Sequence, residues 1–423
     1  MIFLDAAATT PVRREVIEAM FPFLTNQFGN PSSHHELGEQ AANALESARE
    51  KCATVLGCHP EEITFTASGT EADNLALKGI ALARRAADPR LNRVLISAIE
   101  HPAIAESADY LRRIHGFVVE VVPVDSDGLV VSADFARMLG SSTADSGVAA
   151  AGAAHAAGSG ASPALSDPAA SPALSDPAAS DVAVASIMYA NNEVGTIQDI
   201  PALAAVARKH GVPLHSDAVQ GAGWLELDVA NLGVAALSIS GHKLGAPKGV
   251  GLLYVRGDVP LEPLLHGGGQ ERGNRSGTQN VAFAVALATA LRFTEAGREA
   301  AVVRATVLRD DFIATVLARI PTALLTGHRS QRLPSVASFC FPGTSGESVL
   351  LELERKSIIC SSGSACAAGS DEPSAVLRAM GIERGVAQTA LRFSFGADVT
   401  AAALATAAEE LVDAVSRILR LGR

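Results

Sequence analysis

Ala235-Ala-Leu-Ser-Ile-Ser240-Gly-His242-Lys243-Leu-Gly-Ala-Pro-Lys248-Gly-Val-Gly-Leu-Leu-Tyr-Val255 places two apolar runs, Ala235–Ser240 and Val250–Val255, around a turn of small residues. Further runs of the same kind, Ile63–Thr66, Arg93–Ser97, Phe117–Val124, Val182–Tyr189 and Val212–Asp217, alternate with helix-like periodic segments upstream. Several are apolar on both faces, as strands covered by helices on either side must be. The pattern predicts an α/β fold: a large domain whose mostly parallel sheet is covered by helices.

The last third reads differently. Strand-like Ser335–Phe341 and Thr389–Phe395 flank helix-like Glu347–Arg355, and a long helix runs over Ala401–Leu421. A smaller α+β domain is expected there. The division predicted is residues 15–262 for the large domain, with 1–14 and 263–423 forming the small one. Near the start, Thr10 is expected to cap a helix with Pro11 in its first turn and Val12, Val16, Met20 and Phe23 on one face. Val281–Leu291 reads as a short buried helix.

Composition narrows the classes. A chain of 423 residues suits two or three domains, and a net charge of −11 supplies no long-range attraction to nucleic acid or anionic lipid. Hydrophobic residues at 48% and charged ones at 19% exclude a disordered chain. No run approaches the ~18 apolar residues of a membrane span. Nor does a basic residue precede the apolar residues of Met1-Ile-Phe-Leu, so no secretory leader is expected. Five cysteines, none in C-x-x-C spacing, predict reduced thiols in a cytoplasm and no metal site. Between Arg137 and Arg208 there is neither Lys nor Arg, and the nonapeptide SPALSDPAA occurs twice, at Ser162–Ala170 and Ser171–Ala179. This tract, about 140–180, is expected to be a flexible surface insertion.

Lys243 follows a strand directly. Buried there, its amine is costly unless it is neutralised or bonded, and imine formation with an aldehyde cofactor accomplishes that; a lysine reaching out to solvent is the plainer alternative. Asp217 ends another strand, where a carboxylate pairs with a ring nitrogen or caps the next helix. Ser68-Gly69-Thr70 offers helix-terminal N–H groups to a phosphate, or simply caps its helix. No G-x-x-x-x-G-K-[ST] element is present. Gly267-Gly-Gly-Gln-Glu-Arg272-Gly-Asn-Arg275-Ser-Gly-Thr278 combines backbone freedom with two arginines as an anion grip. Cys366, within Cys360-Ser-Ser-Gly-Ser-Ala-Cys366-Ala-Ala-Gly-Ser, lacks apolar neighbours and is expected on a mobile exposed loop as a nucleophile; Cys360, Cys52, Cys58 and Cys340 read as core.

Ten motifs in order, LDAAATTPV, FGNPSS, TASGTEADN, EHPAI, MYANNEVGT, HSDAVQ, SISGHK, HGGGQERGNRSGT, SSGSACAAGSDEPS and LRFSFG, give a chain that resembles the NifS/IscS-type cysteine desulfurases. These are pyridoxal-phosphate enzymes of class V aminotransferase type, with the type I transferase fold. The resemblance implies Lys243 as the imine-forming catalytic lysine, Asp217 at the pyridine nitrogen, Gln220 at the phenolic oxygen and His101 on the ring face. It implies Gly69, Thr70, Ser240 and His242 around the phosphate, with Thr278 reaching the phosphate of a neighbouring subunit in a homodimer. Asn192 and Arg392 would grip the carboxylate of L-cysteine, and Cys366 would accept its sulfur as a persulfide. The sulfur would then pass to an acceptor such as an iron–sulfur scaffold or a thio-modification system. A selenocysteine lyase shares fold, cofactor and loop cysteine, and a non-catalytic sulfur carrier could retain the fold. Ala6 and Gly245-Ala246 depart from the residues usual in the family at those positions, and the 140–180 insertion is absent from its pattern.

Overall fold

The computed structural model describes residues 1–140, 180–362 and 373–421. Seven strands form one sheet in the order Ile63–Thr66, Gly251–Val255, Ala236–Ser240, Leu214–Asp217, Val182–Ser186, Arg93–Ser97, Val118–Val122. The last five run parallel to one another, and Gly251–Val255 is antiparallel to both its neighbours. Six of the seven are wholly buried, and apart from Arg93 and Asp217 at strand ends and His215 they carry only apolar or small hydroxyl residues. Helices Gly69–Ala87 and Pro102–His115 bury Leu77, Ile80, Ile104 and Leu111 against one face. On the other face Leu45, Leu56, Leu203 and Leu287 form the larger core.

The smaller sheet is antiparallel, in the order Ser361–Ser362, Ala390–Ser394, Val336–Cys340, Leu324–Leu325. Phe312, Phe339 and Phe393 meet edge-on beneath it at 5.2–6.4 Å between centroids, with Ala401–Leu421 packed alongside. The chain start joins this unit: Ile2–Phe3 pairs in parallel with Ile358–Ile359, and Asp5 bridges to Ser394.

Two local expectations are revised. The first helix is Arg14–Thr25, so Thr10 and Pro11 lie ahead of it. Thr10 bonds the His242 carbonyl through both its N–H, at 3.0 Å, and its hydroxyl, at 2.8 Å; a tertiary partner has replaced the helix cap. Val281–Leu291 is not a short helix but the beginning of Val281–Arg319, 39 residues long. Its first part packs into the large core and its last part, Ala305 to Val316, into the small one. This one helix thus contributes to both cores.

Fully buried Arg93 donates to Asp181 at 2.7 Å, Glu120 at 2.6 Å and the Met138 carbonyl at 2.8 Å. One guanidinium thus ties together the segments on either side of residues 141–179. The expected character of that tract falls outside the described residues.

Candidate active site

Asp217, Ser240 and His101 lie at or just beyond the carboxyl ends of parallel strands, the position at which open α/β sheets hold ligands. Ser240 closes Ala236–Ser240, and a tight turn over Gly241–Lys243 then lifts the lysine off the sheet. Gly245, at φ +85°, completes the turn; a Cβ there would lie 2.7 Å from Arg13 Cγ, which accounts for a small residue at this position. Half-buried Lys243 donates from Nζ to the Ala7 carbonyl and, at 2.8 Å, to that of Ala8. Gln220 donates to the same Ala7 carbonyl at 3.0 Å.

Asp217 is 5% exposed and accepts from the Val219 N–H at 2.8 Å. Burial raises its pKa, while that N–H and the charges of His101 and Lys243 pull it back down. His101 caps Pro102–His115, its Nδ1 accepting from Ala103 at 3.1 Å. Its pKa is lowered by burial, against the pull of Asp217 and with the push of Lys243. His101, Asp217 and Lys243 thus belong to one electrostatic cluster.

Gly69 opens Gly69–Ala87, where Ser68 caps the Glu71 N–H at 3.1 Å and the N–H groups of Gly69 and Thr70 have no partner within the helix. A Cβ on Gly69 would come within 2.8 Å of Val219 and 3.0 Å of Ser240. Glycine there keeps a cradle open among Gly69, Val219 and buried Ser240. Thr70 is exposed beside it. His242 Nδ1 shares a 3.1 Å hydrogen bond with Thr9, and burial with Lys243 and Lys248 brings its pKa down to about 4.

Arg392, on Ala390–Ser394 and 2% exposed, donates to the Asn192 carbonyl at 2.9 Å and to Asp5 at 2.8 Å. Asn192 is itself buried. Thr278 is exposed on the segment leading into Val281–Arg319. The two arginines expected as an anion grip are engaged by carboxylates of the same chain: Arg272 meets Glu46 at 3.2 Å and Arg275 meets Glu71 at 2.8 Å. Cys366 lies outside the described residues. Cys52, Cys340 and Cys360 are buried as expected, Cys58 only partly; burial pushes the Cys360 thiol up to about 12.

Several polar groups escaped the sequence reading. His215, on the same strand face as Asp217, bonds Ser186 and Ser238 at 2.9 Å each, and burial holds it neutral with a pKa of about 3. Asp73 lies 3.8 Å from His215 Nε2, its pKa raised by burial and by the charge of Asp217. Glu100 accepts from Ser97 at 2.6 Å and Met188 N–H at 2.7 Å, and burial takes it up to about 8. Glu193, bonded by Ser374, rises to about 7 for the same reason. The two-residue spacing of His215 and Asp217 was a usable signal; Glu100 and Glu193 stood inside quoted motifs without a role.

This chain matches the aminotransferase class-V family model over residues 2–151 and 172–405, and it belongs to that family. An IscS-like cysteine desulfurase of Mycobacterium tuberculosis is 41% identical over 421 residues, covering 99% of this chain and 98% of that protein. Among solved structures, a NifS-like protein superimposes with a TM-score of 0.82 at 32% identity, covering 98% of this chain and 99% of its own. SspA in complex with cysteine gives 0.72 at 30% identity, covering 93% and 99%. These relatives place the chain in the NifS/IscS group of the family.

Proposed function

We propose that the protein is a pyridoxal-phosphate-dependent cysteine desulfurase, which takes sulfur from L-cysteine to give L-alanine and a persulfide on Cys366. The observation that carries this reading is the convergence of Lys243, Asp217 and His101 in one charge cluster at the strand ends, beside the Gly69–Ser240 cradle. The residues fit the cofactor. Gly69, Thr70, Ser240 and His242 would hold its phosphate, Gln220 its phenolic oxygen, His101 its ring face and Lys243 its aldehyde carbon, while Thr278 would serve a second subunit of a homodimer.

Bound pyridoxal phosphate supplies an electron sink for the substrate Cα. Lys243 Nζ takes the α-proton, and Asp217 keeps the ring nitrogen protonated through an ion pair. Arg392 and Asn192 orient the substrate carboxylate. Cys366, as thiolate, attacks the substrate sulfur; the C–S bond breaks, and a proton on that carbon completes alanine. Substrate thiol and enzyme thiol thereby become one methyl group and one persulfide, with no external oxidant or reductant. The sulfur then goes to an acceptor protein in the cytoplasm, such as an iron–sulfur scaffold. No helix among the described residues is long and apolar enough to cross a membrane.

Incubation of the cofactor-loaded protein with L-cysteine tests the reading by assays of alanine and sulfide. Lys243→Ala should lower turnover at least ~10³-fold through loss of proton transfer. Cys366→Ser should bind cofactor and substrate yet form no persulfide, whereas Cys360→Ser should match the parent. Added sulfur found by mass spectrometry on Cys360 would overturn the assignment, and undiminished selenide release from L-selenocysteine by Cys366→Ser alongside idle L-cysteine would identify a selenocysteine lyase.

A further inference from the structure

Asp5 has no role in the reading above, yet it touches the residue that would grip substrate. Its carboxylate accepts from Arg392 Nη2 at 2.8 Å, while the Asn192 carbonyl accepts from Nη1 at 2.9 Å. Arg392 Nε, buried, has no partner among the described residues. A guanidinium carries five N–H donors, so these two contacts leave three for a ligand.

The geometry differs from that of a purely structural ion pair in the same chain. Arg49 meets Glu271 through both carboxylate oxygens, Nη1 to Oε2 at 2.8 Å and Nη2 to Oε1 at 2.9 Å, and no further ligand is needed. Asp5 instead engages a single nitrogen of Arg392. Asp5 is also anchored to the arginine's own strand: it bridges to Ser394, whose carbonyl accepts from the Ala6 N–H and whose hydroxyl accepts from the Ala7 N–H, both at 2.9 Å. The carboxylate and the guanidinium are thus set two residues apart on one rigid frame. Along the same segment, the Ala7 and Ala8 carbonyls receive Lys243.

We propose that Asp5 is a positioning residue: it fixes the plane of the Arg392 guanidinium so that its unengaged N–H groups face the carboxylate of an amino-acid substrate. The inference rests on Arg392 being the carboxylate grip of the proposed desulfurase. Asp5 acts through Arg392 and touches no substrate itself.

The test uses the cofactor-loaded protein and two probes, L-alanine, which carries a carboxylate, and cysteamine, which does not. Asp5→Asn should weaken L-alanine binding by calorimetry about tenfold, the scale of one charge-assisted hydrogen bond, and raise the KM for L-cysteine likewise with kcat within twofold. Cysteamine binding should stay unchanged. Equal weakening of both probes, or of neither, overturns the proposal. Arg392→Gln separates this from the underlying reading: if it leaves L-alanine binding intact, Arg392 is not the grip, whereas if it abolishes binding and Asp5→Asn does not weaken it, only the role of Asp5 falls. Should Asp5→Asn fail to fold, Asp5→Glu, which keeps the charge but moves it by one methylene, serves with the same two probes. Weaker L-alanine with unchanged cysteamine supports the role, and any other pattern overturns it.

Discussion

At the carboxyl ends of the large sheet, Asp73 and Asp217 are buried and Glu100 half-buried, with no arginine paired to any of them among the described residues. In the small core, Arg392 is buried with Asp5 already bonded to it. One end of the site has carboxyl groups pushed toward their neutral forms, waiting for positive charge; the other has its charge balanced before any ligand arrives. On the proposed reading the first arrangement suits a cationic ring, whose charge would offset the cost of burying those carboxylates. A site that must exchange one small carboxylate for the next benefits from the second, since an unpaired buried guanidinium would be costly between visits.

The contrast can be broken most strongly with pH. Glu100 keeps its proton up to about pH 8 when folded but releases it near 4.5 when unfolded. Between those values the folded state binds more protons, so stability falls as pH rises, by up to about 5 kcal/mol across the window. Glu100→Gln should remove that slope, matching the parent below pH 4.5 and exceeding it above pH 8, as read from denaturant unfolding of the cofactor-free protein. An unchanged slope would place the proton elsewhere. Arg392→Met should come next, lowering stability by about 3 kcal/mol because Asp5 loses its partner in a mostly buried setting. Smallest and opposite in sign, Asp217→Asn should stabilise the cofactor-free protein by about 1 kcal/mol while weakening its hold on pyridoxal phosphate. If Asp217→Asn and Arg392→Met shift stability in the same direction, the two ends do not differ as described.

Legibility in the sequence followed the same division. Strands such as Arg93–Ser97 and Ala236–Ser240 announced themselves because burial on both faces leaves runs with no charged residue between their ends, and Lys243 and Asp217 stood out as charges at the ends of such runs. Asp5 and Glu193 did not, since their partners, Arg392 and Ser374, are distant in sequence and only the folded chain brings them together. Thr10 misled because its hydroxyl satisfies a carbonyl across the site rather than a helix end, a choice that local spacing does not encode. The length of Val281–Arg319 was hidden for a related reason: its two halves face different cores, so its apolar stripe changes direction partway along.

The pairing of Ile2–Phe3 with Ile358–Ile359 has a consequence for the order in which the protein comes into being. On a ribosome, the large core has all its strands once residue 255 has emerged, yet the segment that supplies the acceptors for Lys243 and the carboxylate for Arg392 cannot seat until residues 358–394 follow. At roughly 5–20 residues per second, Ile2–Asp5 wait some 20–70 s for their partners. A nascent chain can therefore hold a finished sheet without a finished site, and its reactive chemistry is withheld until residues 358–394 have emerged.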